Sequence, residues 1–513
     1  MIYIGAKELK LEDFNKILFL KEKIELDEKA LQKVNESHEF LKSFSKDKLI
    51  YGINTGFGPM AQYKISEQDQ LDLQYNLIRS HCTGAGKRLA DTEVKSTMIC
   101  RLSSLMQGFS GIHPEVVILL KDLINNDIYP QIFEHGGVGA SGDLVQLAHL
   151  ALNLIGEGEV TYKGELRPAA DVFKETGLKP ITIKLREGLA LINGTSIMTG
   201  ISMVNLSHAE QLVNWSLSAS MMIIELVESY SDHFSKELNK VKPHLGQRAI
   251  AHAMDEAMKD SKLIRKREEH LFSAETTAVD VFQDKVQEYY SIRCVPQILG
   301  PVWDTFTYTQ TVLQNEVNSV NDNPIIDKEN NNVFHGGNFH GDYVALEMDK
   351  LKIAITKLTM LAERQLNFLM NDKLNGKLPP FVNLGKLGLN LGMQAAQFTA
   401  TSTTAENQML SNPMYIHSIP NNNDNQDIVS MGTNAALICS KIIENAYQVL
   451  AIELLSAVQA VDALQFESKL SSHSKAIYKQ IRSIKARFEK DSILYKDLEK
   501  IKIYLQTNNP NII

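Results

Sequence analysis

Glycine and proline are distributed unevenly along this chain of 513 residues, and three long stretches contain neither residue. These stretches are residues 201–242, 342–375 and 433–509. Both residues interrupt helices, so their absence allows long uninterrupted helices. Within these stretches apolar residues recur at helical spacing, as at Leu351, Ile355, Leu358 and Leu361. The chain is therefore predicted to be mainly α-helical, with long central helices.

The last stretch contains an unusually apolar segment, AALICSKIIENAYQVLAIELLSAVQAVDAL, at residues 435–464. A helix that is apolar on most sides is typical of the interior of a large bundle or of an oligomer interface. No apolar run reaches the ~18 residues that a membrane span requires. The first residues, MIYIGAKELKLEDF, lack the basic and apolar regions of a signal peptide. No membrane partner is therefore predicted.

The overall charge and the cysteines narrow the class of protein. The formal net charge of -8 disfavours nucleic acid and anionic membranes as the main partners. The four cysteines, Cys82, Cys100, Cys294 and Cys439, are far apart and form neither a CxxC pair nor a metal-ligand spacing. The sequence therefore predicts a reduced, cytoplasmic chain without a metal site.

Between the predicted helices lie loops that are rich in Asn, Gly, Tyr, His and Gln. Catalytic and binding residues are found disproportionately on loops that a rigid framework carries. The candidate loops are YGINTGFGPMAQ (51–62), HGGVGASGD (135–143), EGLALINGTS (187–196), YYSIRCVPQILGP (289–301), NSVNDNPIID (318–327), FHGGNFHGD (334–342) and IPNNNDNQDIVSMG (419–432). We expect the function to lie in these loops.

The loop HGGVGASGD places four glycines around one serine, Ser141, and three interpretations compete. Residues 137–142 match the GxGxxG pattern of a dinucleotide-binding loop, but that loop requires a strand–helix–strand context, which is poor here. The nucleophile elbow of serine hydrolases has the form GxSxG, and Asp143 occupies the position of its second glycine. Both of these interpretations are disfavoured.

The third interpretation makes the backbone itself reactive. The amide nitrogen of Gly142, which has no side chain beside it, can close on the carbonyl carbon of Ala140 with loss of one water. Loss of a second water from the Ser141 hydroxyl leaves an exocyclic methylidene. The product is a 4-methylidene-imidazole-5-one, a strong electrophile. A helix is predicted to start near Asp143, and its positive N-terminal end would favour negative charge that develops beside the electrophile.

Seven motifs around this loop resemble those of the aromatic amino acid ammonia-lyase family, which includes the histidine, phenylalanine and tyrosine ammonia-lyases and related aminomutases. They are YGINTGFG, LIRSH, GLALINGTS, YSIRCVPQ, NDNP, GGNFHG and NQDIVSMG, in the family's order. The resemblance covers nearly the whole chain. Within the family, RSHCTGAGK and IPNNNDNQDIVSMG most resemble the tyrosine ammonia-lyases of flavobacteria.

The resemblance implies a fold and an assembly. The fold would be a long central helix bundle of the aspartase/fumarase type, in a homotetramer whose active sites combine loops from three subunits. Residues 1–200 would form an N-terminal domain that bears the electrophile, and residues 201–513 the long-helix bundle with a C-terminal helical region. The 4-methylidene-imidazole-5-one would be the cofactor, with no metal or nucleotide required.

The family removes ammonia and a β-proton from an L-amino acid, and the resemblance assigns the reacting groups. The electrophile from Ala140, Ser141 and Gly142 would make the amine a better leaving group. Tyr51 in YGINTGFG matches the base that takes the β-proton, although a phenol titrates near pKa ~10 and needs help to ionise. Tyr290 in YSIRC matches a second tyrosine, which orients the substrate and manages the protons of the amine.

Other residues match substrate-binding and supporting positions of the family. Arg293 matches the arginine that binds the substrate carboxylate through two parallel hydrogen bonds. Asn193 matches the asparagine that helps to bind the amino-acid end and to hold the electrophile. Phe339 matches the aromatic residue beside the electrophile, and Asp143 is expected to cap the following helix and to support cyclisation. Further supporting positions are Gly58, Gln287, Asn323 and Asn422.

Structural roles compete with several of these assignments. Tyr51 and His81 could be ordinary loop residues, and Phe339 could be a buried packing residue. Arg293 could form a surface salt bridge, and Asp143 could be a plain helix cap.

Two positions in the sequence indicate which side chain the substrate carries. Ser80-His81 in RSHCTG matches the pair of histidine ammonia-lyases, whereas Gln426 stands where those enzymes carry a glutamate. A carboxylate suits an imidazole, and a neutral amide suits a ring without a basic nitrogen. His81 can exchange a hydrogen bond with a phenol hydroxyl, and a site built for that bond discriminates strongly against an analogue without the hydroxyl. We therefore predict the conversion of L-tyrosine to trans-4-coumarate and ammonia.

Other functions stay open at this point. Histidine ammonia-lyase is favoured by Ser80-His81, and a tyrosine 2,3-aminomutase would use the same electrophile but add the ammonia back. Outside this class, the chain could be a catalytically dead helical scaffold or a nucleotide-binding protein that uses the glycine loop. Intact Tyr51, Ser141 and Arg293 argue against the scaffold. The lack of a strand–helix–strand architecture argues against nucleotide binding.

Overall fold

The computed structural model describes residues 1–46, 48–272, 276, 280–281 and 285–513, and the chain divides into two compact units. The first unit comprises Met1–Ser207, Thr309–Asp349 and Pro413–Ser440. The second unit comprises His208–Tyr308, Lys350–Asn412 and Lys441–Ile513. The sequence-based division at residue 200 stays a prediction, and that position lies inside the helix Ser196–Leu226.

Helices make up most of the described chain, which confirms the predicted fold class. The longest are Ser196–Leu226, Val295–Val317, Asp342–Met370 and Gly432–Leu464. Three of these lie largely within the stretches without glycine and proline. Two of the stretches also contain sharp turns, because the backbone at Glu228 and Gln465 has φ of 53° and 56°. Such residues rarely adopt a positive φ, so the sequence pattern did not reveal these helix ends.

Shorter helices connect the long ones and carry several of the candidate loops. Those among the described residues are Leu11–Leu18, Glu28–Phe44, Gln70–His81, Asp91–Met106, Pro114–Asn125, Leu144–Leu154, Ala169–Thr176, Glu187–Ile192, Lys236–Lys240, Leu245–Ala257, Arg267–His270, Tyr290–Arg293, Asp372–Asn375, Gln394–Leu410, Ser472–Ile484 and Tyr495–Thr507. Single turns of 3-10 helix lie at Gly58–Met60, Ser231–Phe234, Pro380–Val382 and Glu467–Lys469.

The strands are short and form small sheets. Ile2–Ile4 pairs in parallel with Ile24–Leu26, while antiparallel pairs join Ala85–Arg88 to Phe133–His135, Tyr129–Pro130 to Glu159–Tyr162, Glu159–Tyr162 to Glu165–Pro168, and Ile325–Asp327 to Asn332–Phe334. The strand Phe133–His135 leads directly into the glycine loop. Its antiparallel pairing differs from the parallel strand–helix–strand unit of a dinucleotide-binding loop.

The helix Gly432–Leu464 is buried along most of its length, as its apolar sequence predicted. Ala446, Leu450, Leu454 and Val458 have no exposed surface. The helix is long and apolar enough to cross a membrane, but 78% of its most apolar window is buried inside the protein. A single helix of this kind is a weak indication of a membrane span, because core helices have the same composition. The cytoplasmic location stays a prediction.

Candidate active site

The glycine loop that contains Ser141 is held as a tight turn. The Gly139 N–H donates to the Gly142 carbonyl oxygen at 3.2 Å, which brings the ends of the Ala-Ser-Gly segment together. Gly142 has a φ of +71°, and a Cβ placed there would lie 2.0 Å from the carbonyl oxygen of Gly194. The position therefore requires glycine. Cyclisation requires a glycine here as well, because no side chain then lies beside the attacking amide nitrogen.

Asp143, directly after this turn, is fully buried. Its Oδ2 accepts hydrogen bonds from the N–H groups of Ile197 and Met198 at 3.0 and 2.9 Å, and its Oδ1 accepts one from Thr433 Oγ1 at 2.6 Å. Burial raises the pKa of Asp143 to about 6. Asp143 occupies the N-cap position of the helix Leu144–Leu154, but its side chain makes no capping hydrogen bond there, so the predicted side-chain cap is not formed. Its carboxylate instead satisfies the free N–H groups at the start of Ser196–Leu226.

Two side-chain amides hold Ser141. Asn193 Nδ2 donates to the Ser141 carbonyl oxygen at 3.0 Å, and Gln426 Nε2 donates to Ser141 Oγ at 3.0 Å. Asn193 Oδ1 in turn accepts from the Asn323 N–H at 2.9 Å, and Asn323 Oδ1 accepts from the Gly336 N–H at 2.8 Å. These bonds connect four of the candidate loops to the serine.

Ser141 borders a cavity of about 640 Å³ whose lining residues all belong to the first unit. This volume suits a small-molecule ligand such as an amino acid. The predicted site residues that line the cavity are Tyr51, Gly58, Ser80, His81, Ser141, Asn193, Asn323, Phe339, Asn422 and Gln426. The structure therefore brings together residues from seven separate segments of the chain.

The Tyr51 hydroxyl accepts a hydrogen bond from the Gly58 N–H at 3.2 Å. Its ring lies edge-on to Phe57, with the ring centroids 6.0 Å apart. A backbone N–H donor stabilises a phenolate more than a phenol, so this contact suits a base. Gly58 also permits a close approach, because a Cβ on it would lie 2.9 Å from Asn422 Nδ2.

Ser80 and His81 lie in the last turn of the helix Gln70–His81. His81 Nδ1 is 2.8 Å from the Leu77 carbonyl oxygen and 3.2 Å from Ser80 Oγ. A carbonyl oxygen can only accept, so Nδ1 carries a proton. In the neutral ring, Nε2 is then a hydrogen-bond acceptor. His81 thus brings an acceptor nitrogen to the cavity that it lines.

Three predicted site residues form a separate cluster in the second unit. The Arg293 guanidinium lies over the Tyr290 ring, 4.8 Å from its centroid, and Arg293 Nη1 donates to Gln287 Oε1. Tyr290 is 71% exposed, whereas Tyr289 packs its ring against Phe368 at 5.5 Å. Gln287, Tyr290 and Arg293 do not line the cavity at Ser141.

Comparison with known proteins decides the family. The sequence model described as aromatic amino acid lyase matches residues 9–483. The chain belongs to this family. The motif-based resemblance is therefore confirmed at the level of the family.

Individual members of the aromatic amino acid lyase family are similar over nearly their whole length. A probable histidine ammonia-lyase of Thermoplasma volcanium is 39% identical over 509 residues, which are 99% of each chain. A tyrosine 2,3-aminomutase of Chondromyces crocatus is 37% identical over 98% of this chain and 96% of its own. The crystal structure of a tyrosine aminomutase of Streptomyces globisporus matches with a TM-score of 0.95 at 33% identity, over 98% of this chain and 96% of that one. The likeness to flavobacterial tyrosine ammonia-lyases stays a prediction.

A buried ion pair that no sequence motif indicated lies next to the site of this family member. Arg186 and Asp322 are both fully buried, with Nη1 and Oδ2 3.4 Å apart. Arg186 also donates to the carbonyl oxygens of Ser110 and Asn323, at 2.6 and 2.8 Å. Burial lowers the pKa of Arg186, and the Asp322 charge opposes that shift. The pair therefore holds the backbone of Asn323, whose N–H donates to Asn193. Its only sequence signal was that Arg186 lies just before the GLALINGTS motif and that Asp322 lies within NDNP.

The groups around Ser141 include amides, hydroxyls, imidazoles and aromatic rings. Such groups can bind an amino acid, orient its ring and move a proton. Among the described residues, no group of three or more His, Cys, Asp and Glu side chains is placed to hold a metal ion.

Proposed function

We propose that the protein is a tyrosine ammonia-lyase that converts L-tyrosine to trans-4-coumarate and ammonia. One observation carries the choice of substrate. His81 lines the cavity, and the bond between its Nδ1 and Leu77 leaves Nε2 as an acceptor. A phenol hydroxyl can donate to that nitrogen, whereas phenylalanine offers no donor. A site with such an acceptor favours tyrosine over phenylalanine.

Gln426 supports tyrosine over histidine. Its neutral amide donates to Ser141 Oγ, at the position where the resemblance places a glutamate in histidine ammonia-lyases. A substrate imidazole would therefore lack a charged partner here. Histidine still offers a ring N–H to His81, and a probable histidine ammonia-lyase is among the relatives. Histidine ammonia-lyase is thus the first alternative.

The Ala-Ser-Gly turn fits the electrophile that the resemblance implies. No Cβ has room at Gly142, Ala140 is only 5% exposed, and Ser141 borders the cavity. Loss of two waters from this turn would give a 4-methylidene-imidazole-5-one, which activates the amine of a bound substrate as a leaving group. We propose no metal and no nucleotide beside it.

The residues of the chain supply the remaining chemistry. Tyr51 takes the β-proton from the substrate, and the Gly58 N–H stabilises the negative charge on its oxygen. Asn193 keeps the Ser141 peptide in place through its 3.0 Å hydrogen bond. Phe339 forms an apolar part of the wall beside the turn, which shields the reacting atoms from water.

We propose that other copies of the chain complete each site. Arg293 would bind the substrate carboxylate with two parallel hydrogen bonds, and Tyr290 would handle the protons of the amine. Both residues lie in the cluster with Gln287, and the large exposure of Tyr290 leaves it available to another subunit. A homotetramer with loops from three subunits in each site would supply them.

A product assay on the purified protein tests this proposal. L-tyrosine, L-histidine and L-phenylalanine are supplied separately, and chromatography with ultraviolet detection follows the unsaturated acids and any β-amino acid. We expect 4-coumarate from L-tyrosine to form fastest. Faster formation of urocanate would identify a histidine ammonia-lyase. Formation of β-tyrosine as the main product would identify an aminomutase, the second alternative, which the aminomutase relatives favour.

Replacing His81 with phenylalanine should change the ring preference. The substitution removes the acceptor nitrogen and enlarges the apolar wall, so the ratio of kcat/KM for tyrosine to that for phenylalanine should fall by about 100-fold. Kinetics with both substrates measures this ratio. His252→Phe, at an exposed histidine outside the cavity, serves as the matched control. An unchanged ratio in His81→Phe would remove His81 from the selectivity argument.

A further inference from the structure

Gln74 is a fully buried glutamine of the helix Gln70–His81, and it joins two other parts of the site. Its Nε2 donates to the Gly52 carbonyl oxygen at 3.0 Å, and its Oε1 accepts from the Leu189 N–H at 3.1 Å. Both ends of the amide are therefore satisfied by backbone groups. Because a flipped amide would lose both bonds, the orientation of the side chain is fixed.

The backbone around this amide leaves little room for movement. Gly52 has a φ of +75°, and a Cβ on it would lie 2.4 Å from Leu189 Cδ2. A Cβ on Gly188 would lie 2.8 Å from Gln74 Oε1 and 2.7 Å from the Gln74 carbonyl oxygen. Two glycines thus let the Tyr51 loop and the helix Glu187–Ile192 approach Gln74 closely. A substitution at Gln74 would therefore shift the backbone of both elements.

We propose that Gln74 is a positioning residue that holds Tyr51 in place for proton removal. The inference rests on the proposed lyase function, in which Tyr51 is the base. Gln74 does not line the cavity; it acts through Gly52, the residue next to Tyr51. The same helix carries Ser80 and His81, so Gln74 also fixes the distance between the base and the residues that recognise the ring.

The magnitude of the effect follows from the geometry of proton transfer. A catalytic group displaced by about 1 Å can cost about 100-fold in rate. Loss of the Gln74 bonds frees the Gly52–Ile53 peptide, which directly follows Tyr51, whereas Tyr51 keeps its own hydrogen bond from Gly58. We therefore expect a loss of kcat with little change in substrate binding.

The first test is Gln74→Met, which keeps the length of the side chain and removes both hydrogen bonds. We expect kcat for L-tyrosine to fall about 100-fold, with KM changed by less than about threefold. Intact mass spectrometry should still show the loss of two waters, because the turn at residues 140–142 has no bond to Gln74. A wild-type kcat in this variant would overturn the proposal, and so would a mass that shows an uncyclised turn.

The second test is Gln74→Glu, which makes the contact to Gly52 depend on protonation. A protonated carboxyl can donate to the Gly52 oxygen and accept from Leu189, as the amide does. The ionised carboxylate can only accept and loses the bond to Gly52. The ratio of the variant kcat to the wild-type kcat should therefore fall as pH rises from about 6 to about 10, a range that includes the raised pKa values of buried carboxyls.

The ratio of the variant kcat to the wild-type kcat cancels the effect of other titratable groups near Gln74. Glu187 lies on one of the two elements that Gln74 joins, and His149 lies on Leu144–Leu154, which packs against the same helix. Burial raises the pKa of Glu187 to about 7 and lowers that of His149. These groups are present in both proteins. A kcat ratio that stays constant over the whole pH range would overturn the proposal.

A matched control separates positioning from general stability. Gln459 is 1% exposed, donates to the Phe488 carbonyl oxygen and accepts from Arg482 Nη2 at 2.8 Å. Gln459→Met should lower the melting temperature about as much as Gln74→Met and leave kcat unchanged. An equal loss of kcat in both variants would overturn the proposal. A wild-type protein without any lyase product would instead refute the proposed function itself.

Discussion

Ser141→Ala should abolish nearly all lyase activity, with kcat lowered on the order of 10⁴-fold or more. The substitution removes the hydroxyl whose loss as water creates the methylidene. The backbone of the turn should survive, since the Gly139–Gly142 hydrogen bond and the bond from Asn193 involve only backbone atoms of the turn. The bond from Gln426 to Ser141 Oγ is missing from the variant, but cyclised wild type would also lack it, because the hydroxyl leaves as water.

Two measurements check this result. Kinetics with L-tyrosine gives kcat, and intact mass spectrometry tells whether the turn has lost two waters. Wild type should be lighter than its sequence by the mass of two waters, and Ser141→Ala should not be. Ser440→Ala, which removes a partly buried hydroxyl bonded to Asn205, is the control and should keep activity and the mass change. An active Ser141→Ala variant would refute the electrophile mechanism.

Tyr51→Phe should lower kcat by about 10² to 10⁴-fold, because it removes the base while retaining the ring. The edge-on contact with Phe57 remains, and among the described residues the hydrogen bond that is lost is the one from Gly58. KM for L-tyrosine should change little. Unlike Ser141→Ala, this variant should still show the loss of two waters, since Tyr51 acts after the turn has cyclised.

The pH dependence of kcat/KM provides a second readout for Tyr51. A base must be ionised to act, so activity should rise with pH in wild type and the residual activity of Tyr51→Phe should lack that rise. Tyr63→Phe, at an exposed tyrosine of the same segment, is the matched control. A wild-type pH profile and kcat in Tyr51→Phe would contradict the assignment and make Tyr290 the next candidate for the base.

Much of the framework was predictable because it depends on local pattern. Long stretches without glycine and proline predicted the helices Asp342–Met370 and Gly432–Leu464. The missing side chain of Gly142 predicted a close approach of the backbone, and the structure gives Gly142 a φ of +71° with no room for a Cβ. In both cases the property belongs to a short segment, and its residues alone constrain the backbone.

The partners of individual side chains were harder to predict. Asp143 precedes a helix, which favoured a local cap, but its carboxylate binds the N–H groups of Ile197 and Met198. Gln74 looked like any polar residue of an amphipathic helix, and burial between Gly52 and Leu189 gives it a specific role. A hydrogen bond between distant segments depends on how they pack, and no local pattern records that packing.

The sequence by itself determined the helical class, the Ala-Ser-Gly segment proposed to form the electrophile and the set of polar loops from which a site could be built. Only the tertiary structure decided which loops meet. It brings Tyr51, His81, Asn193 and Gln426 to one cavity with Ser141 and leaves the Tyr290 cluster in the second unit. Residue types fix the chemistry that a chain can perform, whereas the distance between groups far apart in sequence is set by the packing of the helices that carry them.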